Sequence, residues 1–333
     1  MQQNISHIAL NNLLKILQKH VNEDLPTDAR TVLKTPKQIT SHKRCGGDFV
    51  HFGIKSGLSR RSNLVGLTKV SLIVNIDGLP LFKSGSTEVW PILGAINRGI
   101  PFVISLWSGN GKPNSVDDFL KEFLSEYNAL CLSGVETGSG VIEFELKWFS
   151  CDAPARQFLK CIKGHTGYYA CERCEVRGEK RGGTMTYEGT DYALRTEDKF
   201  SAFEYEEHQH VKSILIDHGI HCIDKFVLDY MHLVFLGVVK RIVYFLQGGP
   251  RMCRLSNGQL GIISDKLDTL SNQLPTEFAR QPRGLKHLKR LKATEFKPFL
   301  LYTGMSVLKG IVSKDRYDHF FRFVHINFCN DVL

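Results

Sequence analysis

VSLIVNIDGLPLF, residues 70–82, is the stretch that decides the fold. Leu72, Val74 and Ile76 alternate with Ser71, Ile73 and Asn75 in a run rich in β-branched residues, the pattern of a buried strand. The run ends on a carboxylate. Asp77 precedes the turn Gly78-Leu79-Pro80 and so stands at a sheet end, where an acid can reach a metal ion. An Asp-Gly pair is also ordinary hairpin punctuation, and this stretch alone does not separate the two readings.

Downstream, EVWPILGAIN and PFVISLWSG read as two further strands separated by Arg98-Gly99-Ile100-Pro101, which predicts an antiparallel meander. Ser115-Val116-Asp117-Asp118 then opens a helix. The serine caps it, the aspartates favour its positive end, and Phe119, Leu120, Phe123, Leu124 and Tyr127 share one face. Past the glycine-rich turn 134–140, VIEFELKWFS reads as a fourth strand that again ends on an acid, Asp152, with APARQFLKC starting a helix behind it. Strand, strand, strand, helix, strand, with acids closing the first and fourth strands, is the order expected of an α/β, ribonuclease H-like fold. Its mixed sheet has flanking helices and sets those two strands side by side. Asp77 and Asp152 would then hold Mg²⁺ (or Mn²⁺), hard cations that take oxygen ligands. Two such ions roughly 3.5–4 Å apart serve phosphoryl transfer.

Upstream, His7 to Val21 carries Ile8, Leu10, Leu13, Leu14, Ile16, Leu17 and Val21 at helical spacing, predicting a helix packed by one apolar stripe. Residues 22–63, with Pro26, Pro36, Gly46 and Gly47, read as an irregular connector ending in Lys55, Arg60 and Arg61. The expected divisions are a helix and basic connector (1–65), the first part of the core (66–160), a zinc-knuckle and helical insertion (161–275), and a C-terminal helical part of the core (276–333).

Nine cysteines in a chain whose start lacks a signal-peptide pattern point to reduced thiols or metal ligands rather than disulfides. CIKGHTGYYACERC presents Cys161, His165, Cys171 and Cys174, a C-x2-C pair with two upstream ligands spaced to close a tetrahedral structural Zn²⁺ site. Free thiols beside a surface histidine are the alternative, and His208, His210, His218 or His221 could replace a ligand. CIDKFVLDYMHLVFLGVVKRIVYFL is strongly apolar and reads as a buried helix, with Asp229 and His232 inside it.

IDGLPLFKS (Ile76 to Ser84), WPIL (Trp90 to Leu93), DAPAR (Asp152 to Arg156), GHTGYYACERC (Gly164 to Cys174) and LDYMHLVFLGVVKR (Leu228 to Arg241), in this order, resemble the catalytic region of CACTA-type (En/Spm-like) DNA transposases. The resemblance runs from about Ile8 to the end. It implies a DDE/D transposase: Asp77 and Asp152 as the first two metal-binding acids, Cys171 and Cys174 in the family's cysteine knuckle, and Asp229 with His232 as auxiliary residues near the DNA or the metal. The third acid should come from a late helix. Glu295, in a Lys-Ala-Thr-Glu-Phe setting similar to the family's late acid, is the candidate, with Glu277 after Pro275 its competitor. As an ordinary surface acid Glu295 would instead pair with Lys292 or another neighbouring lysine.

Arg280, Arg283, Lys286, His287, Lys289, Arg290, Lys292 and Lys297 form the densest positive stretch. Arg283, Lys286, Lys289, Arg290 and Lys292 are the expected contacts to a DNA backbone, which position DNA without reading its sequence. The net charge of +9 and pI near 9.0 fit a polyanionic partner. With no apolar run of about 20 residues, the expectation is a nuclear or cytoplasmic protein, neither secreted nor membrane-spanning, with no small-molecule cofactor and a homo-oligomer among its assemblies. No end-reading module is legible before residue 60, and the chain stops where the resembling proteins continue, as in a truncated copy. Three functions stay open: a cutting and joining transposase core, a retired or host-adopted transposase that binds nucleic acid or protein, and a zinc-stabilised scaffold unrelated to DNA.

Overall fold

A computed structural model describes residues 5–35, 40–59, 64, 66–82, 84–96, 99–138, 140–271, 273–275 and 277–332. Arg60, Arg61 and Arg98 lie outside the described residues. The chain opens with α1 (His7–His20), α2 (Ala29–Val32), β1 (His42–Arg44), β2 (Gly47–His51) and α3 (Ile54–Ser59). The run quoted above forms β3 (Lys69–Ile76), whose Val70, Leu72, Val74 and Ile76 are fully buried while the residues between them are partly exposed. Then come β4 (Leu79–Pro80), β5 (Thr87–Ile96), β6 (Phe102–Asn110), α4 (Val116–Ser133), β7 (Val135–Thr137), β8 (Gly140–Cys151) and α5 (Ala153–Lys160). The hairpin of β9 (Glu179–Arg181) and β10 (Thr184–Thr186), α6 (Glu197–Ser201), α7 (Ile214–Asp217) and β11 (Phe226–Leu228) follow.

The large sheet runs β1-β2-β6-β5-β3-β8-β11, with β4 on β5 and β7 on β8. From β1 to β3 each neighbour is antiparallel; β8 and β11 then join in parallel. The result is a mixed α/β architecture with flanking helices. α4 forms as its signals predict, with Ser115 Oγ accepting the Asp118 amide at 3.1 Å and Phe119, Leu120, Phe123 and Leu124 buried.

The upstream segment differs from its reading as a connector. β1 and β2 extend the sheet edge, and the Trp107 indole seals it, donating to the Arg44 carbonyl at 2.9 Å. The indole lies so close over Gly47 and Gly109 that a Cβ there would come within 2.6 Å and 2.5 Å of its ring. The hairpin turns through Cys45 and Gly46, both at positive φ, so a cysteine stands where Asn or Asp would have announced the turn. α1 also departs from expectation. Only Leu14 is buried, Ile8, Leu13 and Ile16 face solvent, and the helix is tied to α2 through Asn11 Oδ1, which accepts the Ala29 amide at 2.6 Å.

Past β11 the chain is helical. A segment of wide, i→i+5 turns, Met231–Val239, runs straight into α8 (Lys240–Gly248). It is followed by α9 (Asn257–Leu270), a 3₁₀ segment Leu285–Arg290, α10 (Ala293–Pro298), a second wide segment Phe299–Thr303, α11 (Gly304–Leu308) and α12 (Lys314–Val332). Met231–Gly248 has the length and apolarity to cross a membrane, but it buries Val234, Phe235, Val239, Val243 and Leu246 in a helical core and carries Lys240 and Arg241. One such helix does not make a clear membrane-spanning protein.

Among the described residues the buried hydrophobic side chains form two cores. One gathers side chains from Cys45 to Phe226, including Ile162, Phe200, Leu215 and Ile223; the other runs from Val234 to Phe320. The change of core falls just after β11 rather than at 160 and 275: Ile162, Phe200, Tyr205, Leu215, Ile220, Cys222, Ile223 and Phe226 belong to the same core as the sheet. Phe149 of β8 and Phe226 of β11 stack at 4.6 Å, joining the two outer parallel strands. Phe226→Ala is expected to cost about 3–5 kcal/mol, read as a lower denaturation midpoint; a loss under about 1 kcal/mol would show that β11 is not held by this stack.

Candidate functional site

Register is what assembles the site. Val74, Phe149 and Phe226 occupy one rung across β3, β8 and β11, and Leu228 pairs with Cys151. Three residues along from that rung stand Asp77, Asp152 and Asp229, each just beyond the end of its strand. Parallel neighbours are spaced about 4.8 Å, so three carboxylates emerge from one sheet end on adjacent backbones.

Each acid is oriented by its surroundings. The turn after Asp77 lies flat on Trp90: a Cβ on Gly78 would come within 2.9 Å of the indole, so a glycine is needed there. Trp90 in turn meets Phe158 of α5 edge-on at 5.4 Å, linking the Asp77 turn to the helix that Asp152 begins. Asp152 caps α5, its Oδ1 accepting the Ala155 amide at 2.8 Å. Asp229 caps the Met231 segment: Oδ1 accepts the Met231 amide at 2.8 Å and the His232 amide at 3.3 Å, while Oδ2 lies 2.8 Å from His232 Nδ1. Asn75 Nδ2 donates to the Ser150 carbonyl at 2.6 Å, locking β3 to β8 just before the acids.

The charges feel one another. Burial, then the negative charge of Asp152, pushes Asp77 above the usual carboxylate range; Asp229 adds to the rise, and His232 and the Gly78 amide oppose it. Glu295 is absent from this set. Its buried carboxylate accepts from Arg283 Nε at 2.6 Å and Nη2 at 2.9 Å and from the Lys292 amide at 2.9 Å. Burial pushes its pKa up, but Arg283 and the Lys292 amide outweigh it and leave the pKa lowered. Glu295 is thus spent on holding the start of α10 inside the helical core, with Arg283 as its ion-pair partner and Lys292 contributing its backbone amide. The same bond withdraws Arg283 from the expected DNA contacts. Lys286, Lys289, Arg290 and Lys292 are exposed beside buried Leu285 and Leu288.

The expected four-ligand zinc site is not gathered. Cys171 and Cys174 face each other with sulfurs 3.5 Å apart. Cys161 is the left-handed cap of α5, its thiol turned to the Phe158 carbonyl at 3.7 Å and sensing Asp117 and Lys112 rather than the pair. His165 is exposed. Of the replacement histidines, buried His208 bonds the Tyr169 carbonyl at 2.7 Å, with burial and then Arg195 lowering its pKa to about 4, His218 meets Asn128 at 2.6 Å, His221 faces Asp224 at 3.8 Å, and His210 is exposed. Of the four expected ligands, only Cys171 and Cys174 are brought together.

Among the described residues, one triple of acid, thiol or imidazole ligand atoms lies mutually within 4.8 Å: Glu197, His221 and Asp224. Glu197, however, accepts the Cys222 and Ile223 amides at 2.8 and 2.7 Å, the work of a turn-holding carboxylate. The strand-end acids are spread wider. One Mg²⁺ with bonds of about 2.1 Å wants its ligands within about 4.2 Å of one another, whereas two ions about 4 Å apart want a broader set. Three acids on consecutive strands suit the second case.

No protein-family model matches this chain, and no curated protein matches it.

Two expectations separate the acids. Asp77 holds its proton more tightly folded than unfolded, so it favours the folded state at low pH and that contribution is lost as pH rises through its raised value. Asp77→Asn should therefore raise the metal-free thermal midpoint at pH 7 by about 1–3 °C, allowing for solvent screening. The gain should vanish as pH falls toward about 4, and the variant should no longer be stabilised by Mn²⁺. Glu295→Gln should lose about 1–3 kcal/mol, less than a fully buried pair because Arg283 is partly solvated. Its Mn²⁺ binding, measured by calorimetry, should be unchanged; weakened binding would return Glu295 to the acid set.

Proposed function

We propose that this chain is a ribonuclease H-like core that cuts DNA strands and transfers them, as CACTA-type DNA transposases do, with Asp77, Asp152 and Asp229 as its metal-binding acids. The common rung beneath the three aspartates carries this reading. The strand order supports it: a meander of β3, β5 and β6 continued by parallel β8 and β11 is compatible with the order expected of a ribonuclease H-like core, with an edge hairpin added. Asp229, rather than Glu295, is the third acid of the proposal.

Divalent Mg²⁺ or Mn²⁺, when bound, supplies activation of the attacking oxygen and stabilisation of the leaving oxygen. The chain does the rest. Asp77, at the end of the row beside Asp152, holds its proton more tightly than an ordinary carboxylate, and a bound cation would offset that. Asp152 and Asp229 offer carboxylates whose direction is set by the helices they cap. His232, steered by Asp229, presents its second ring nitrogen beside the acids as a proton carrier. Lys286, Lys289, Arg290 and Lys292 form the proposed phosphate-tracking face. Cys171 and Cys174 are the pair a structural zinc would use, and among the described residues no third acid, thiol or imidazole lies within 4.8 Å of both.

A module that binds DNA without cutting it is the second reading, favoured by the same exposed lysines and by the number of local bonds the acids already make. Purified protein with supercoiled DNA and Mn²⁺ separates them. The cutting core yields nicked circles, and Asp152→Asn or Asp229→Asn lowers the rate at least about a hundredfold, the loss of about 3 kcal/mol of transition-state stabilisation. Binding with no nicking by the unaltered chain selects the second reading, and nicking that survives both substitutions rejects the site.

A further inference from the structure

Between the two facing thiols lie Glu172 and Arg173, and their side chains point away from the knuckle into the body of the protein. Glu172 is largely buried. It accepts from Arg156 Nε and from Lys160 Nζ, each at 2.8 Å. Lys160 is 1% exposed and sits over the rings of Phe200 and Phe226. Arg156 passes the connection on, its Nη1 donating at 2.6 Å to the carbonyl of Cys151, the residue before Asp152. Arg173 takes the other direction, bonding the Ile223 carbonyl at 2.7 Å and the carbonyl of Phe226, which opens the strand that Asp229 ends. The knuckle is itself anchored from behind, with buried Arg195 donating to the Cys171 carbonyl at 2.9 Å and His208 holding that of Tyr169.

We propose that Glu172 and Arg173 are positioning residues for the acid cluster, the knuckle acting as a clamp that sets the separation of Asp152 and Asp229. This rests on the two-metal reading above and deepens it. Two like charges on neighbouring strands push apart whenever no cation lies between them, and α5 and β11 are the elements that would yield. The clamp grips both from one four-residue turn. One arm reaches α5 through a buried carboxylate shared by two cations; the other reaches β11 through a guanidinium shared by two carbonyls. The preorganised spacing is the one a divalent cation meets on arrival. Partners one step removed from a metal ligand commonly change its affinity by about 10–100-fold when removed.

The test is Mn²⁺ titration of the full chain, followed by calorimetry and by the thermal midpoint. Glu172→Gln takes the carboxylate from two buried cations, Lys160 and Arg156, so the informative variant is Glu172→Gln with Lys160→Met, which removes Lys160 and leaves Arg156 the Cys151 carbonyl and the new amide oxygen as acceptors. Its midpoint should return close to that of the unaltered chain, while its Mn²⁺ affinity stays at least about tenfold weaker. A midpoint and an affinity that recover together would make the network merely structural and overturn the clamp. If the double variant does not fold, Arg173→Lys, which keeps the charge and breaks only the two-carbonyl bridge, decides on the same measure: about tenfold weaker Mn²⁺ binding supports the clamp and unchanged binding overturns it. Unaltered protein that binds no Mn²⁺ dependent on Asp77 would fail the underlying reading instead, and the clamp with it.

Discussion

Mutual repulsion among three aspartates at one sheet end is the constraint on which the rest of the molecule depends. Parallel pairing of β3, β8 and β11 in a common register forces the carboxylates together, and burial of Asp77 sharpens the conflict. Nothing in the acids themselves resists it. The resistance comes from around them: the Asn75 side chain on the Ser150 carbonyl, the stack of Phe149 on Phe226, the Trp90 indole between the Gly78 turn and α5, and the helix caps on Asp152 and Asp229. This packing holds like charges on neighbouring strands, an arrangement whose cost shows in the raised pKa of Asp77.

The two hydrophobic cores meet at the same place. Asp229 follows the last residue of the sheet and begins the helical half, so it belongs to both. On the helical side, Glu295 and Arg283 form an internal tie of their own, and the exposed lysines of the 3₁₀ segment ride on buried Leu285 and Leu288. A 3₁₀ turn repeats every three residues, so Lys286 and Lys289 are eclipsed on one side while the leucines take another. The positive face follows from that geometry as much as from composition.

How much of this could be read from the chain alone depended on the length of the signal. β3 and β8 are long and strongly alternating, so their terminal acids stood out. β11 is three residues, Phe226 to Leu228, inside an apolar run that continues into a helix, and nothing in the periodicity separates strand from helix there. The usable sign was Asp229 three residues before His232, a capping acid followed by the group it orients. Glu295 was misjudged because its partner, Arg283, lies twelve residues back across a loop, a distance at which spacing says nothing about contact. Cys161 was misjudged for a local reason: it takes the left-handed cap of α5, which turns its thiol away from the pair ten residues on. The β1–β2 hairpin was missed because a cysteine occupies its positive-φ turn.

Asp229 also carries an accounting of lone pairs. A carboxylate has about four acceptor positions, and three are already taken, by the Met231 and His232 amides and by the His232 ring. On the proposed function it would reach a cation through a single free position on Oδ2; a second would have to be released by the His232 ring on the same oxygen or by the amides on Oδ1. The two oxygens are thus divided in their work: Oδ1 winds the first turn of the following helix, while Oδ2 is shared between the imidazole and whatever approaches the sheet end.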